Sequence, residues 1–152
     1  MLSNPKTVIL YARASSQMQK DDLERQVRIL EEWAKQNNVG KYEVITDIGS
    51  GLREDRRGYR RILKLATEKK VSKIVVEYPG RLTRFGFDTL VKLFRALGVE
   101  VVTLSHEDKD LKEELLEDLI TIISHFARKL YGRGSSKYRE VVEGARKLIE
   151  DS

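Results

Sequence analysis

Arg13 and Ser15 stand two residues apart, just past the first apolar run of the chain, Val8–Ala12. A short apolar run with polar residues at its end is typical of a buried strand, and strand alternation places Tyr11, Arg13 and Ser15 on one face. Ligands of open α/β sheets bind beyond the carboxyl ends of the strands. A hydroxyl beside a permanent cation at that place predicts a nucleophile, Ser15, with Arg13 as its first electrostatic partner. Alternatively, Ser15 and Ser16 only cap the next helix.

Two later segments carry arginines directly after predicted strands. Residues 47–58 combine glycines with several guanidiniums, which suits a loop that must approach phosphate closely. A solvated surface loop with a few ion pairs is the alternative for this segment. Residues 78–87 follow the third predicted strand and are again rich in arginine. If the three strands are parallel, their ends meet at one edge, and four arginines are expected around Ser15: Arg13, Arg56, Arg81 and Arg84.

The elements that position these residues follow from periodicity. Strands are predicted at residues 8–16, 42–46, 73–78 and 99–104, and helices from Asp21 or Asp22 to about 37, at 59–70 and at 88–97. Strands that alternate with helices predict a three-layer α/β fold. Its sheet is expected to be mostly parallel, with four or five strands and helices on both faces.

A long, broadly apolar helix is predicted at residues 111–131. A helix this apolar must bury more than one side, so we expect one side on the sheet and the other on a partner subunit. The alternative is a plain core helix. The predicted organisation is a core at residues 1–110, an oligomerisation helix at 111–134, and a basic helix or tail at 135–152.

Composition narrows the classes of function. The chain has 152 residues, 35% of them charged, a formal net charge of +5 and no cysteine. Disulfides and thiol chemistry are therefore excluded, and the excess of positive charge favours a polyanionic partner. No apolar run is long enough to cross a membrane and no signal peptide is evident, so a cytoplasmic protein is expected.

An alkoxide that attacks a phosphodiester needs compensation for the charge on the transition-state oxygens. Arginine suits this task because its planar fork matches phosphate oxygens and stays protonated. No metal or other cofactor is then required. Gln19 and Gln26 are candidates for orienting the hydroxyl or a phosphate, and Asp47 for fixing an arginine. A covalent phosphoserine would store the energy of the broken bond, which suits strand exchange.

Three linked motifs resemble those of the serine recombinases, the resolvase/invertase superfamily. They are Tyr11–Ser16, the segment from Thr46 to Gly58, and Arg81–Phe87, in the order and spacing of that family. The third motif and the end of the long helix are most similar to the insertion-sequence branch. Transposases of that branch carry a small MerR-like helix-turn-helix domain before the catalytic domain, and this chain is expected to lack it.

The resemblance implies that Ser15 attacks double-stranded DNA and forms a 5′-phosphoserine link without metal or ATP. It implies active-site arginines at 13, 56, 81 and 84, and supporting roles for Tyr11, Gln19, Gln26 and Asp47. It also implies a homodimer or homotetramer built on the 111–131 helix. The cations expected to meet DNA are Arg53, Arg57, Arg128, Lys129, Arg133 and Lys137.

Gly80 departs from the family motif, which normally has aspartate before the first arginine of the third segment. Loss of that carboxylate removes an orienting partner for an arginine, and activity is expected to suffer. One alternative function is therefore an oligomerisation and DNA-docking module with impaired catalysis. A second is a nucleotide- or phosphate-binding protein with a flavodoxin-like sheet, although the glycine pattern that cradles phosphate in such proteins is missing.

Overall fold

The structure, a computed structural model, describes residues 6–151 and divides into two compact units, residues 1–109 and 110–152. The first unit contains the strands β1 (Thr7–Ala14), β2 (Tyr42–Ile48), β3 (Val71–Val76) and β4 (Glu100–Thr103). Its helices are α1 (Lys20–Gln36), α2 (Arg57–Thr67), α3 (Pro79–Leu82) and α4 (Phe87–Ala96). The second unit contains α5 (Lys112–Tyr131) and α6 (Ser136–Glu150).

The four strands form one parallel sheet in the order β2-β1-β3-β4. The predicted α/β fold is confirmed, with four strands. β1 and β3 are neighbours in the middle of the sheet, and the chain leaves them in opposite directions, towards β2 and towards β4. This is the point at which open α/β sheets bind their ligands. Ser15 follows β1 there, and α3 follows β3.

Helices cover both faces of the sheet, as expected. Leu10, Ala12 and Ala14 of β1 pack in one buried cluster with apolar residues of α1. Ile9 and Tyr11, which point the other way, lie in a second cluster with residues of α2 and α4. The alternation along β1 therefore sends Tyr11 to the α2 side of the sheet, where the loop after β2 can reach it.

Two local features differ from the sequence prediction. A short 3-10 turn, Gln17–Gln19, follows β1, and α1 begins at Lys20 rather than at Asp21 or Asp22. The arginine-rich segment after β3 contains the short helix α3, which the sequence analysis did not predict. Proline at the first position of α3 explains this turn. Its ring fixes φ at a helical value, and the N–H that proline lacks would have no partner within the helix at that position.

In the second unit, α5 has acidic residues in its first turn and basic residues in its last turn, and both complement the helix dipole. The Ser135 side chain caps α6 by accepting a hydrogen bond from the Tyr138 N–H at 3.1 Å. Over residues 6–151, no helix combines the length and the apolar character needed to cross a membrane.

Candidate active site

Ser15 lies half-buried directly after β1. Its Oγ donates a hydrogen bond to Gln19 Oε1 at 2.9 Å, and its backbone N–H donates to the same oxygen at 3.1 Å. Neither the 3-10 turn, whose N-cap is Ser16, nor α1 has a side-chain cap. The alternative that these serines only cap a helix is therefore wrong. Gln19 holds the hydroxyl in place, but an amide oxygen is too weak a base to remove its proton.

Arg13 is fully buried, and its guanidinium reaches the segments that follow β2 and β3. It donates to the carbonyl oxygens of Gly49 at 3.0 Å, Gly80 at 2.7 Å and Arg81 at 3.3 Å. One side chain thus connects the ends of all three strands that the sequence placed at this edge. The buried charge of Arg13 is tolerated because its guanidinium N–H groups donate hydrogen bonds to these backbone carbonyls.

Arg81, also buried, is paired with a carboxylate from α1. Its Nη2 donates to Asp22 Oδ2 at 2.8 Å, and its guanidinium lies 5.0 Å from the centre of the Tyr78 ring. Asp22 also accepts from Arg25 at 2.8 and 3.0 Å and from Gln26 Nε2 at 2.9 Å. Burial alone would raise the pKa of Asp22, but these hydrogen bonds and the charge of Arg81 hold it below its usual range.

Gln26 supports the strand and not the hydroxyl. Its Oε1 accepts the backbone N–H of Arg13 at 3.2 Å, and its Nε2 donates to the Arg13 carbonyl at 2.9 Å. Both backbone groups at the end of β1 are therefore satisfied by one buried amide. Gln26 fixes the backbone two residues before Ser15.

Tyr11, Asp47 and Arg56 form a buried chain on the α2 side of the sheet. The Tyr11 hydroxyl donates to Asp47 Oδ2 at 2.6 Å and accepts from Arg56 Nη1 at 2.7 Å. Burial, partly offset by the charge of Arg56, raises the pKa of Tyr11, so the phenol stays protonated. The sequence suggested that Asp47 fixes an arginine; here it acts on Arg56 through the tyrosine hydroxyl.

The Asp47 carboxylate also binds the start of α2. It accepts the N–H groups of Gly58 at 2.7 Å and Tyr59 at 2.8 Å, so it replaces the missing side-chain cap of that helix. Arg56 stands at the N-cap and additionally donates to the carbonyls of Arg53 at 2.7 Å and Leu82 at 2.9 Å. The loop after β2 is thereby attached to α3.

Gly58 lets the Asp47 carboxylate approach. A Cβ at this position would lie 2.6 Å from Ile45 Cγ2 and 2.7 Å from Asp47 Oδ2. Alanine normally stabilises a helix over glycine by about 1 kcal/mol. We expect Gly58→Ala instead to lower the free energy of unfolding by about 1–3 kcal/mol, because the core must yield. Urea denaturation followed by circular dichroism measures the change.

Gly144→Ala in α6 is the matched control. A Cβ there meets no atom within 4 Å, so this substitution should be neutral or stabilising. If Gly58→Ala stabilises the protein as well, the contact between glycine and carboxylate does not constrain α2.

Two other glycines lie against site residues. A Cβ on Gly51 would lie 3.3 Å from Arg13 Nη2 and 3.1 Å from the Arg84 backbone nitrogen, which donates to the Gly51 carbonyl at 3.0 Å. The sequence suggested that this glycine lets the loop approach phosphate closely; in the structure its missing Cβ leaves room for Arg13. The N–H of Gly80 donates to Asp108 Oδ1 at 3.0 Å. Gly80 thus serves the site through both of its backbone groups.

The structure brings most of the expected site residues together through the contacts above. Arg84 is half-buried, and its backbone N–H connects it to the site through the Gly51 carbonyl. The expected DNA-contacting residues are all exposed: Arg53, Arg57, Arg128, Lys129, Arg133 and Lys137. Arg53 is paired with the neighbouring Asp55 at 2.9 Å. Within the span 6–151, no three of the His, Asp and Glu side chains are grouped to hold a metal ion.

Asp22 is the site residue whose role the sequence analysis missed. Its position in the first turn of α1 suggested only a helix start, and the exposed Asp21 fits that description equally well. One signal was present: Asp22 and Gln26 are four residues apart and therefore share a helix face, and Gln26 was already a candidate.

The chain is similar to known proteins of one family. The family model described as "Resolvase, N terminal domain" matches residues 8–146. The catalytic domain of ISC1926 TnpA, an IS607-like serine recombinase, is 39% identical, with a TM-score of 0.84 over 95% of this chain and 99% of that one. A serine recombinase from Sulfolobus solfataricus is 47% identical, with a TM-score of 0.78 over 97% and 98% of the two chains.

Among curated proteins, the putative resolvase R771 of Acanthamoeba polyphaga mimivirus is 38% identical over 129 residues, which are 84% of this chain and 65% of the viral protein. The resolvases of the same virus numbered L103 and R80 are covered to 69% and 67% of their length. This chain thus spans about two thirds of those relatives. By its family match and by these similarities, the chain belongs to the resolvase family of serine recombinases.

Proposed function

We propose that the protein cuts and rejoins DNA strands through a covalent phosphoserine at Ser15. The observation that carries the proposal is the geometry of the carboxyl edge of the sheet. There, a half-buried hydroxyl held by Gln19 follows a strand whose Arg13 is bonded to the segments after β2 and β3. Membership of the serine recombinase family supports the same chemistry.

In the proposed reaction, the Ser15 oxygen bonds to a DNA phosphorus and the bond from phosphorus to the 3′ oxygen breaks. The serine proton is lost, the 3′ oxygen gains one, and the 5′ phosphate stays on the protein. Rejoining reverses these steps with a different 3′ hydroxyl. The reaction balances without an external energy source, since one phosphodiester replaces another. Buried guanidiniums near the edge favour the extra negative charge of the transition state.

The contacts of Gly80 bear on the alternative of an impaired module. The sequence suggested that an arginine loses its orienting carboxylate when glycine replaces aspartate at this position. Arg81 nevertheless has a carboxylate partner, Asp22, and Gly80 contributes its carbonyl to Arg13 and its N–H to Asp108. These contacts favour an active site over an inactive relic.

Double-stranded DNA is the proposed partner. Arg128 and Lys129 at the end of α5 and Arg133 in the segment between α5 and α6 are exposed, and the net charge of the chain is +5. Contacts from such side chains to phosphate are independent of sequence and depend strongly on salt. We propose that this chain binds DNA weakly, with little sequence preference of its own.

A nicked duplex tests the proposed chemistry. The central base pairs of the duplex are randomised, and a nick is placed near each possible cleavage position. After cleavage, the short fragment that carries the new 3′ hydroxyl diffuses away and cannot be rejoined, so the phosphoserine intermediate accumulates. We expect a protein–DNA product that survives denaturing electrophoresis, forms in the presence of a chelator, and maps to Ser15 by mass spectrometry. Absence of any such product at saturating protein would contradict the proposal and favour the impaired module.

Self-association through α5 is the second part of the proposal. Leu115, Leu119, Phe126 and Leu130 are between 45% and 72% exposed along this helix, although they belong to its apolar stripe. Exposed apolar area of this kind marks a protein interface. We expect sedimentation velocity to show a dimer or tetramer, and the double variant Phe126→Glu/Leu130→Glu to be monomeric.

Leu148→Glu provides the control for that experiment. Leu148 is an equally exposed leucine on α6, 76% accessible, and its replacement should leave the assembly unchanged. A parent chain that sediments as a monomer at the highest soluble concentration would contradict the proposed assembly.

A further inference from the structure

Asp22 has more partners than the start of a helix requires. Its two oxygens accept from three side chains, and one of these is the buried Arg81. Asp21, its neighbour, is exposed and offers the same negative charge to the first turn of α1. The electrostatic benefit to the helix is therefore available without Asp22.

The partners of Asp22 lead to two elements at the carboxyl edge of the sheet, the end of β1 and the helix α3. On one side, Gln26 connects Asp22 to the two backbone groups of Arg13, at the end of β1. On the other side, Arg81 stands in α3, and its carbonyl accepts from Arg13 Nε. A single carboxylate thus belongs to a closed circuit of contacts that runs from α1 through the end of β1 to α3.

A buried arginine needs such a partner. The side chain of Arg81 is 2% exposed, and an uncompensated charge at that depth is strongly unfavourable. The Tyr78 ring restricts the guanidinium on one side. The Asp22 oxygen at 2.8 Å fixes the direction of Nη2.

We propose that Asp22 is a positioning residue that holds the Arg81 guanidinium in the orientation that the proposed reaction at Ser15 requires. It supplies from α1 the carboxylate that the serine recombinase motif normally provides at the position of Gly80. The inference rests on the proposed function, since a working orientation has meaning only if Ser15 is the nucleophile.

Asp22→Asn tests the inference, because asparagine keeps the shape but removes the charge. In the nicked-duplex assay under single-turnover conditions, we expect its rate of covalent product formation to fall by about 100-fold, which is typical of a misplaced reacting group. Its affinity for DNA should stay at the parental value. Asp21→Asn is the matched control: it removes the same charge from the same turn and should react at the parental rate.

A second variant guards against a simple loss of stability. Asp22→Glu keeps the charge and shifts the carboxylate by one methylene, so its rate should lie between those of the parent and Asp22→Asn. Thermal unfolding confirms that each variant is folded at the assay temperature. If Asp22→Asn reacts like Asp21→Asn, or if Asp22→Glu is no better than Asp22→Asn, the positioning role is overturned.

A spectroscopic measurement separates this inference from the proposed function. In ¹⁵N-labelled protein, a guanidinium held by a carboxylate shows slow rotation and resolved Nη signals. Those of Arg81 are assigned by their loss in Arg81→Lys. We expect them to merge in Asp22→Asn and to stay resolved in Asp21→Asn. Unchanged signals in Asp22→Asn overturn the inference even if the enzyme is active. Merged signals with no covalent product in the parent overturn the proposed chemistry instead.

Discussion

Replacement of Ser15 by alanine is expected to abolish covalent attachment of DNA while leaving the fold intact. The hydroxyl provides the only bond that would join protein to phosphate in the proposed reaction, so we expect the rate to fall by roughly 10³-fold or more. The fold should be unaffected because Ser15 is half-buried and, within residues 6–151, its side chain bonds only to Gln19. The nicked-duplex assay measures the first effect and thermal unfolding the second.

Ser16→Ala is the matched control for that prediction. Ser16 carries the adjacent hydroxyl, is also half-buried, and makes no side-chain cap bond. Covalent product should form at the parental rate. If Ser15→Ala still becomes attached to DNA, or if both variants lose activity together, Ser15 is not the nucleophile.

Replacement of Asp47 by alanine is expected to cause the largest loss of stability among single substitutions at the site. The carboxylate is 7% exposed and accepts hydrogen bonds from Tyr11, Gly58 and Tyr59. Removal leaves these donors unsatisfied at the start of α2 and leaves Arg56 bonded to a tyrosine hydroxyl that has lost its acceptor. We expect the free energy of unfolding to fall by about 3–5 kcal/mol.

Urea denaturation measures that loss, with Asp55→Ala as the control. Asp55 is exposed and forms an ion pair with the equally exposed Arg53, so its removal should leave stability almost unchanged. A loss below about 1 kcal/mol for Asp47→Ala would mean that water or another group replaces the carboxylate, and that the chain from Tyr11 to Arg56 does not depend on it.

The sequence is sufficient to predict the sheet and the place of the site. The strands are short apolar runs separated by helical periodicities, and parallel strands bring their carboxyl ends to one edge. For that reason, the positions of Ser15, Arg13 and Arg81 relative to the sheet could be anticipated before any coordinates. Gln19 and Gln26 were both candidates for orienting the Ser15 hydroxyl or a phosphate, and Gln19 is the one that contacts the hydroxyl.

The partners of each arginine could not be anticipated in the same way. Arg13 bonds to the carbonyls of Gly49 and Gly80, and a sequence does not reveal which backbone oxygens turn inwards. Asp22 is the partner of Arg81 although 59 residues separate them, and the helix face that it shares with Gln26 gives no indication of that distant arginine. Such choices depend on side-chain rotamers and on the turn of α3, which form only when the elements pack.

The way in which Arg13 is bonded limits how this chain can vary. The Arg13 guanidinium donates to one carbonyl after β2 and to another after β3. An inserted or deleted residue in either segment would move one of these carbonyls out of hydrogen-bonding distance. Changes of length should therefore be tolerated poorly at the junction of β2 with Gly49 and at residues 77–79, between β3 and Gly80. The turn at residues 37–41, on the opposite edge of the sheet, is under no such constraint from Arg13 and is the better place to graft a tag or a loop.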